Sequence, residues 1–155
     1  MTINKLYLAQ HGLAVDKSED PDRPLSTSGI EQTRLVAEQL NKQQVTISKI
    51  FHSGKLRASQ TADIFTEQLS VLETLAVDFL SPNSDITIIA DLLDSEAALY
   101  VGHLPHLDKL TSYLLTGDET KSIIHFQNSG VLCLKKTKQN YQVEWYLTPT
   151  QFALG

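Results

Sequence analysis

Leu6-Tyr7-Leu8-Ala9-Gln10-His11-Gly12 is the stretch that sets the fold. An apolar run closed by a polar pair and a glycine reads as a short buried strand ending in a sharp turn or a close approach to a ligand. A histidine at the end of an inner strand is held rigidly at the rim where α/β proteins bind ligands. Many strand-end histidines are only structural, so the meaning of His11 depends on what converges on it.

Outward from this strand, taken as Ile3 to Ala9, the chain alternates. His11 to Leu25 is a loop with Asp16, Glu19, Asp20 and Asp22, and its Pro21 and Pro24 exclude a helix interior. Ser26-Thr27-Ser28-Gly29 offers hydroxyl caps, with Ser28 and Glu31 spaced as a capping box. Ile30, Thr33, Ala37 and Leu40 then recur at helical spacing to about Asn41. Ile47 to His52 reads as a second strand, and strand–helix–strand order predicts a right-handed crossover with parallel pairing.

Ser53-Gly54 turns the chain into a helix whose Ala58, Ala62, Phe65 and Leu69 share one face. A third strand is expected at Leu75 to Phe79, broken by Ser81-Pro82-Asn83-Ser84, and a short helix at Asp85 to Leu93. Ala97 to Val101 is a strongly apolar fourth strand ending in Gly102-His103. Pro105 is tolerated in the first turn of the next helix, which Gly117 ends. Val131 to Lys135 and Tyr141 to Leu147 form a hairpin around Thr137-Lys138-Gln139-Asn140. The expected fold is α/β: a three-layer α/β/α sandwich with a mostly parallel sheet and a C-terminal antiparallel hairpin or edge strand.

With 155 residues, the chain is expected to form one domain, 1–155, large enough for a core without staples. A net charge of −5 argues against general affinity for nucleic acid or for an anionic membrane, so a phosphate must be captured by a local group of cations. The one cysteine, Cys133, is expected buried and reduced. Neither a membrane-span run nor a signal-peptide pattern is present, and the cytoplasm is the expected location.

Three strand ends carry similar punctuation: Gln10-His11-Gly12, His52-Ser53-Gly54 with Arg57 beyond, and Gly102-His103. Carboxyl ends of parallel strands share one edge, so His11, Arg57 and His103 can meet there beside helix N-termini that favour anions. Two imidazoles and a guanidinium suit phosphoryl transfer, in which one imidazole attacks while the other groups hold the phosphoryl oxygens. Zinc is disfavoured because no HExxH or His-x-His spacing occurs, and no cofactor is expected. No G-x-S-x-G elbow supports a serine hydrolase, and no Walker motif supports an NTPase.

Four segments together resemble the histidine phosphatase superfamily (the phosphoglycerate-mutase-like fold), in its small SixA-like phosphohistidine phosphatase branch. They are Gln10-His11-Gly12, Arg23-Pro24-Leu25-Ser26 leading to Gly29, Ser53-Gly54-Lys55-Leu56-Arg57-Ala58-Ser59-Gln60-Thr61, and Gly102-His103-Leu104-Pro105. The resemblance covers nearly the whole chain. It implies that His11 is the nucleophile, that Arg57 and His103 bind phosphoryl oxygens, and that Gln10, Gly12 and Arg23 complete the pocket. His52, His106 and His125 are expected to be structural or surface residues.

Two departures qualify this. Gln10 stands where the superfamily has arginine, so a charged donor is replaced by an amide, with Arg23 or Lys55 able to supply part of the charge. Many members place a carboxylate acid after the third strand, where this chain has Phe79; Asp78 is predicted on the opposite strand face and Asp85 is unanchored. An imidazole leaving group needs less acid than a sugar or serine oxygen, which favours phosphohistidine. The resemblance implies a metal-independent phosphatase acting on a phosphorylated protein, such as a histidine-phosphotransfer domain. A weakly active or non-catalytic phosphate-binding module, and a phosphomonoesterase acting on a small phosphorylated compound, remain alternatives.

Overall fold

The computed structural model describes residues 4–81, 84–94 and 96–151. Six strands form one sheet: β1 (Lys5–Gln10), β2 (Lys49–His52), β3 (Thr74–Ala76), β4 (Glu96–Gly102), β5 (Val131–Lys136) and β6 (Tyr141–Leu147). Four helices accompany them: α1 (Thr27–Lys42), α2 (Leu56–Leu69), α3 (Ile86–Leu92) and α4 (His106–Thr116). Ile3, Pro82 and Asn83, which figure in the expectations above, lie outside the described residues.

The strand order is β3-β2-β4-β1-β5-β6. The first four strands run parallel, β5 pairs antiparallel with β1, and β6 pairs antiparallel with β5. The expected pairing of the first two strands is corrected here, because β4 lies between them and hydrogen-bonds to both. From Ala97 to Gly102, β4 is buried throughout, so burial on both faces with a strand on each side is where its apolar run is most stable.

Side-chain alternation sorts the core into two layers. Tyr7, Ala9, Leu99 and Val101 face Val36, Ala37, Leu40, Ala58, Ala62 and Phe65 of α1 and α2. Leu6, Leu8, Ala98 and Tyr100 face Ile86 and Ile89 of α3 and Leu107 and Leu110 of α4. The sheet is thus sandwiched between helical layers as expected. Cys133 is buried with a free thiol on β5, opposite Tyr7.

Local differences follow from capping and burial. Ser26, not Ser28, caps α1, accepting from the Gly29 N–H at 3.0 Å. β3 is a short edge strand, and Asp78–Leu80 tightens into a 3₁₀ turn that buries Leu80 against the α3–α4 layer. Pro105 precedes α4 instead of entering its first turn, and Gly117 ends that helix at φ 80°, a left-handed geometry natural to glycine.

Candidate active site

The carboxyl ends of β1, β2 and β4 share one edge, and three loops from that edge build the site. His11 follows β1 and is fixed on nearly every side. Its N–H donates to the Gly102 carbonyl of neighbouring β4 at 3.1 Å, and its own carbonyl accepts from Asn128 Nδ2 at 3.0 Å. The ring makes a 2.7 Å contact from Nδ1 to the Gly12 carbonyl. A carbonyl only accepts, so Nδ1 carries the proton and Nε2 is left with its lone pair.

Gly12 is required by crowding. A Cβ there would come within 2.8 Å of Thr33 Oγ1 and 3.0 Å of Leu25 Cδ2. The Gly12 N–H donates to Thr61 Oγ1 at 2.9 Å, and that hydroxyl donates to the Arg57 carbonyl at 2.7 Å. Thr61 thereby couples the turn after His11 to the first turn of α2, where Arg57 sits.

His103, at the end of β4, is 5 % exposed. Its ring lies 4.9 Å from that of His11, tilted by 50°. Its Nε2 is 2.5 Å from Ser53 Oγ, itself anchored by the Lys55 N–H at 3.3 Å. Burial, reinforced by His11, Arg57, Lys55 and Arg23, pushes the His103 imidazole down to about 3. It is therefore neutral near pH 7 and offers an N–H or a lone pair. The cations whose fields reach His103 are Arg57, Lys55 and Arg23. Burial also lowers His11, with Arg57 and Arg23 adding to the effect and the Gly12 hydrogen bond opposing it. Neutral His11 is the nucleophilic form.

Arg57 is held below its ordinary value by burial and then by Arg23, which places the two guanidiniums in each other's field. Arg23 is braced by its own loop, with Nε donating to the Val15 carbonyl at 3.2 Å and a left-handed backbone at φ 49°. Such a conformation costs on the order of 1–3 kcal/mol in a non-glycine residue. The loop is tied to α2 by the Leu25 N–H, which donates to Gln60 Oε1 at 2.7 Å.

Three buried polar atoms in these segments have no protein partner: Gln10 Oε1, Arg57 Nε and His103 Nδ1. Buried polar atoms are normally satisfied, so orphans at one edge mark where a polar ligand completes the structure. Among the described residues, no carboxylate hydrogen-bonds to His11, Arg57 or His103, and no group of three His, Cys, Asp or Glu is placed to hold a metal ion.

The acid candidates are disposed of differently from the strand argument. Asp78 is exposed at the start of the 3₁₀ turn, where strand alternation no longer applies. Phe79 packs near the Tyr100 ring at 6.1 Å. Asp85 is anchored after all, capping α3 through the Thr87 N–H at 2.8 Å and hydroxyl at 2.6 Å.

The other histidines have local tasks. His52 Nδ1 accepts from the Gly54 N–H at 3.1 Å, and His106 Nε2 donates to the Ser84 carbonyl at 2.9 Å. His125 is exposed. In the sequence Ser53 and Thr61 stand out only as parts of a motif, and Asn128 and Ser129 carry no signal. Because β5 runs antiparallel to β1, its start and the segment before it lie on the site edge, where the Ser129 N–H donates to the Gln10 carbonyl at 3.0 Å.

Known proteins match this architecture. Residues 6–80 match the model of the histidine phosphatase superfamily (branch 1). The chain is 30% identical over 160 residues to the phosphohistidine phosphatase SixA of Escherichia coli, covering 97% of this chain and 98% of that protein. An uncharacterised protein of Picosynechococcus is 31% identical over 140 residues, covering 84% of each. Among solved structures, SixA complexed with tungstate superposes with a TM-score of 0.84 at 25% identity, covering 96% of this chain and 99% of that one. An Entamoeba histolytica phosphoserine phosphatase shares the fold, with a TM-score of 0.71 at 17% identity over 93% of this chain and 96% of that one. On the sequence relationship over the full chain, with the fold in agreement, this protein belongs to the histidine phosphatase superfamily.

Proposed function

We propose that this protein is a phosphatase that removes the phosphoryl group from phosphohistidine on a protein, through a phosphorylated His11. The observation that carries the reading is the 2.7 Å bond from His11 Nδ1 to the Gly12 carbonyl. It orients the ring with Nε2 free, while burial and the fields of Arg57 and Arg23 favour the neutral imidazole. His11 Nε2 attacks phosphorus, and the substrate's P–N bond breaks with its electron pair returning to the leaving imidazole, which takes a proton from solvent. Water then attacks the phosphoenzyme, releasing orthophosphate and restoring neutral His11. Arg57 bears the main charge on the phosphoryl oxygens, with Arg23 behind it, and His103 offers an N–H.

Among the described residues no carboxylate is bonded to these groups, which suits an N–P substrate, because imidazole departs with little acid assistance. Relatives whose names describe phosphohistidine phosphatases support the same substrate class. The test is a panel of a phosphohistidine protein, a phosphoserine peptide and a sugar phosphate, each with and without chelator. Preferential turnover of the first, unaffected by chelator, is expected. Preference for either phosphate ester would replace this reading with a phosphomonoesterase.

A second reading is motivated by Gln10, which has a neutral amide where the family pattern has arginine. In that reading the site binds phosphoryl groups without turnover. Gln10→Arg discriminates: a large gain from near-zero activity supports binding, whereas robust activity of the unaltered protein with a gain of at most about tenfold supports the phosphatase.

A further inference from the structure

We infer that Leu13, Leu56 and Leu104 form an apolar collar on which a folded, phosphohistidine-bearing protein docks; this rests on the reading proposed above. Leu13 lies two residues after His11, Leu56 directly precedes Arg57, and Leu104 directly follows His103. They are 42%, 40% and 44% exposed. Consecutive Cα atoms are only ~3.8 Å apart, and the His11 and His103 rings lie 4.9 Å from each other. Three different segments therefore each carry an exposed leucine within two residues of His11, Arg57 or His103. Singly scattered surface leucines need no explanation, but one next to each of three site residues is what an apolar collar requires.

The occupant follows from size and charge. A free phosphate or a small phosphoramidate fills only the space among the site side chains and leaves the leucines in water. The loop that carries Arg23 also carries Asp16, Glu19, Asp20 and Asp22. These carboxylates oppose a small, multiply charged anion and suit a phosphoryl group presented on an apolar surface with basic side chains nearby. Leu13 further walls an open groove of about 360 Å³ with Gln10, Gln32, Phe126 and Asn128, which offers amides and apolar surface to the partner's chain. Apolar contacts at the centre of such an interface would supply affinity while Arg57 and the histidines supply chemistry.

The test combines Leu13→Ser, Leu56→Ser and Leu104→Ser in one variant and measures two substrates, a histidine-phosphorylated helical phosphotransfer domain and N-phosphorylimidazole. Expected is a loss of at least about tenfold in kcat/KM on the protein substrate, carried by KM, with less than about twofold change on N-phosphorylimidazole. Unchanged turnover of both substrates, or an equal fall on both, overturns the collar. If the unaltered protein hydrolyses neither substrate, the phosphatase reading fails separately. Titration of the phosphorylated domain then decides the collar: about tenfold weaker binding by the variant supports it, and equal affinity overturns it.

Discussion

The two halves of the site are built on opposite principles. Around His11 the protein satisfies its own polar groups: the Gly102 carbonyl, Asn128, the Gly12 carbonyl and Thr61 are all engaged. Around Arg57 and His103 it leaves polar groups open, with Arg57 Nε and His103 Nδ1 buried and unpartnered. A nucleophile benefits from being aimed before the substrate arrives, because orientation fixed in advance lowers the barrier. Oxygen-binding groups must instead keep hydrogen-bonding capacity for charge that they meet only with the ligand.

The comparison breaks most completely if His11→Ala retains activity. Removing the attacking atom is expected to lower kcat by about 10⁴-fold or more and to abolish acid-labile phosphate on the enzyme after mixing with phosphohistidine substrate. Full turnover would place the nucleophile elsewhere. Arg57→Ala attacks the receiving half. A loss of about 10²–10³ in kcat/KM is expected, since a charged transition-state donor disappears. An effect below about threefold would show that Arg57 does not face the phosphoryl group.

A smaller change sharpens the distinction within the aimed half. Thr61→Val deletes the hydroxyl that holds the Gly12 N–H. Leaving that buried donor unpaired costs about 1–3 kcal/mol of stability, readable by denaturant unfolding. Here kcat is expected to fall about tenfold with KM little changed, because aim is lost before binding is.

The mildest effect is on pH. Both site histidines titrate below the ordinary histidine value in the folded protein. Between about 6.5 and those lowered values the unfolded chain binds more protons, so their stabilising contribution is complete above about 6.5 and shrinks as pH falls. For the same reason the acidic limb of kcat/KM, which reports the free enzyme, should lie below 6.5 once spontaneous hydrolysis is subtracted. A limb at or above 6.5 would mean that His11 is not held neutral.

Much of this was legible along the chain, and the limits are instructive. The apolar runs of β1 and β4, the helical spacing in α1 and α2, and the glycine at the ends of β1, β2 and β4 are local consequences of burial and turn geometry, so they show in the residues themselves. The position of β4 between β1 and β2 did not, because strand order is decided by which apolar run gains most from two neighbours. Strand alternation, the argument that sets Asp78 aside, fails because the backbone there has become a 3₁₀ turn. Asn128 was illegible because its relevance depends on β5 running antiparallel to β1, a pairing made across more than a hundred residues.

The sequence by itself therefore determined the alternating elements, the polar strand ends, and His11, Arg57 and His103 as the groups to watch. Only tertiary structure decided which tautomer His11 adopts, that His103 is neutral, and that Ser53, Thr61 and Asn128 serve the site. The reason is physical: periodicity and turn chemistry act between neighbours in the chain, whereas protonation and hydrogen-bond direction depend on groups that only folding brings within a few ångströms.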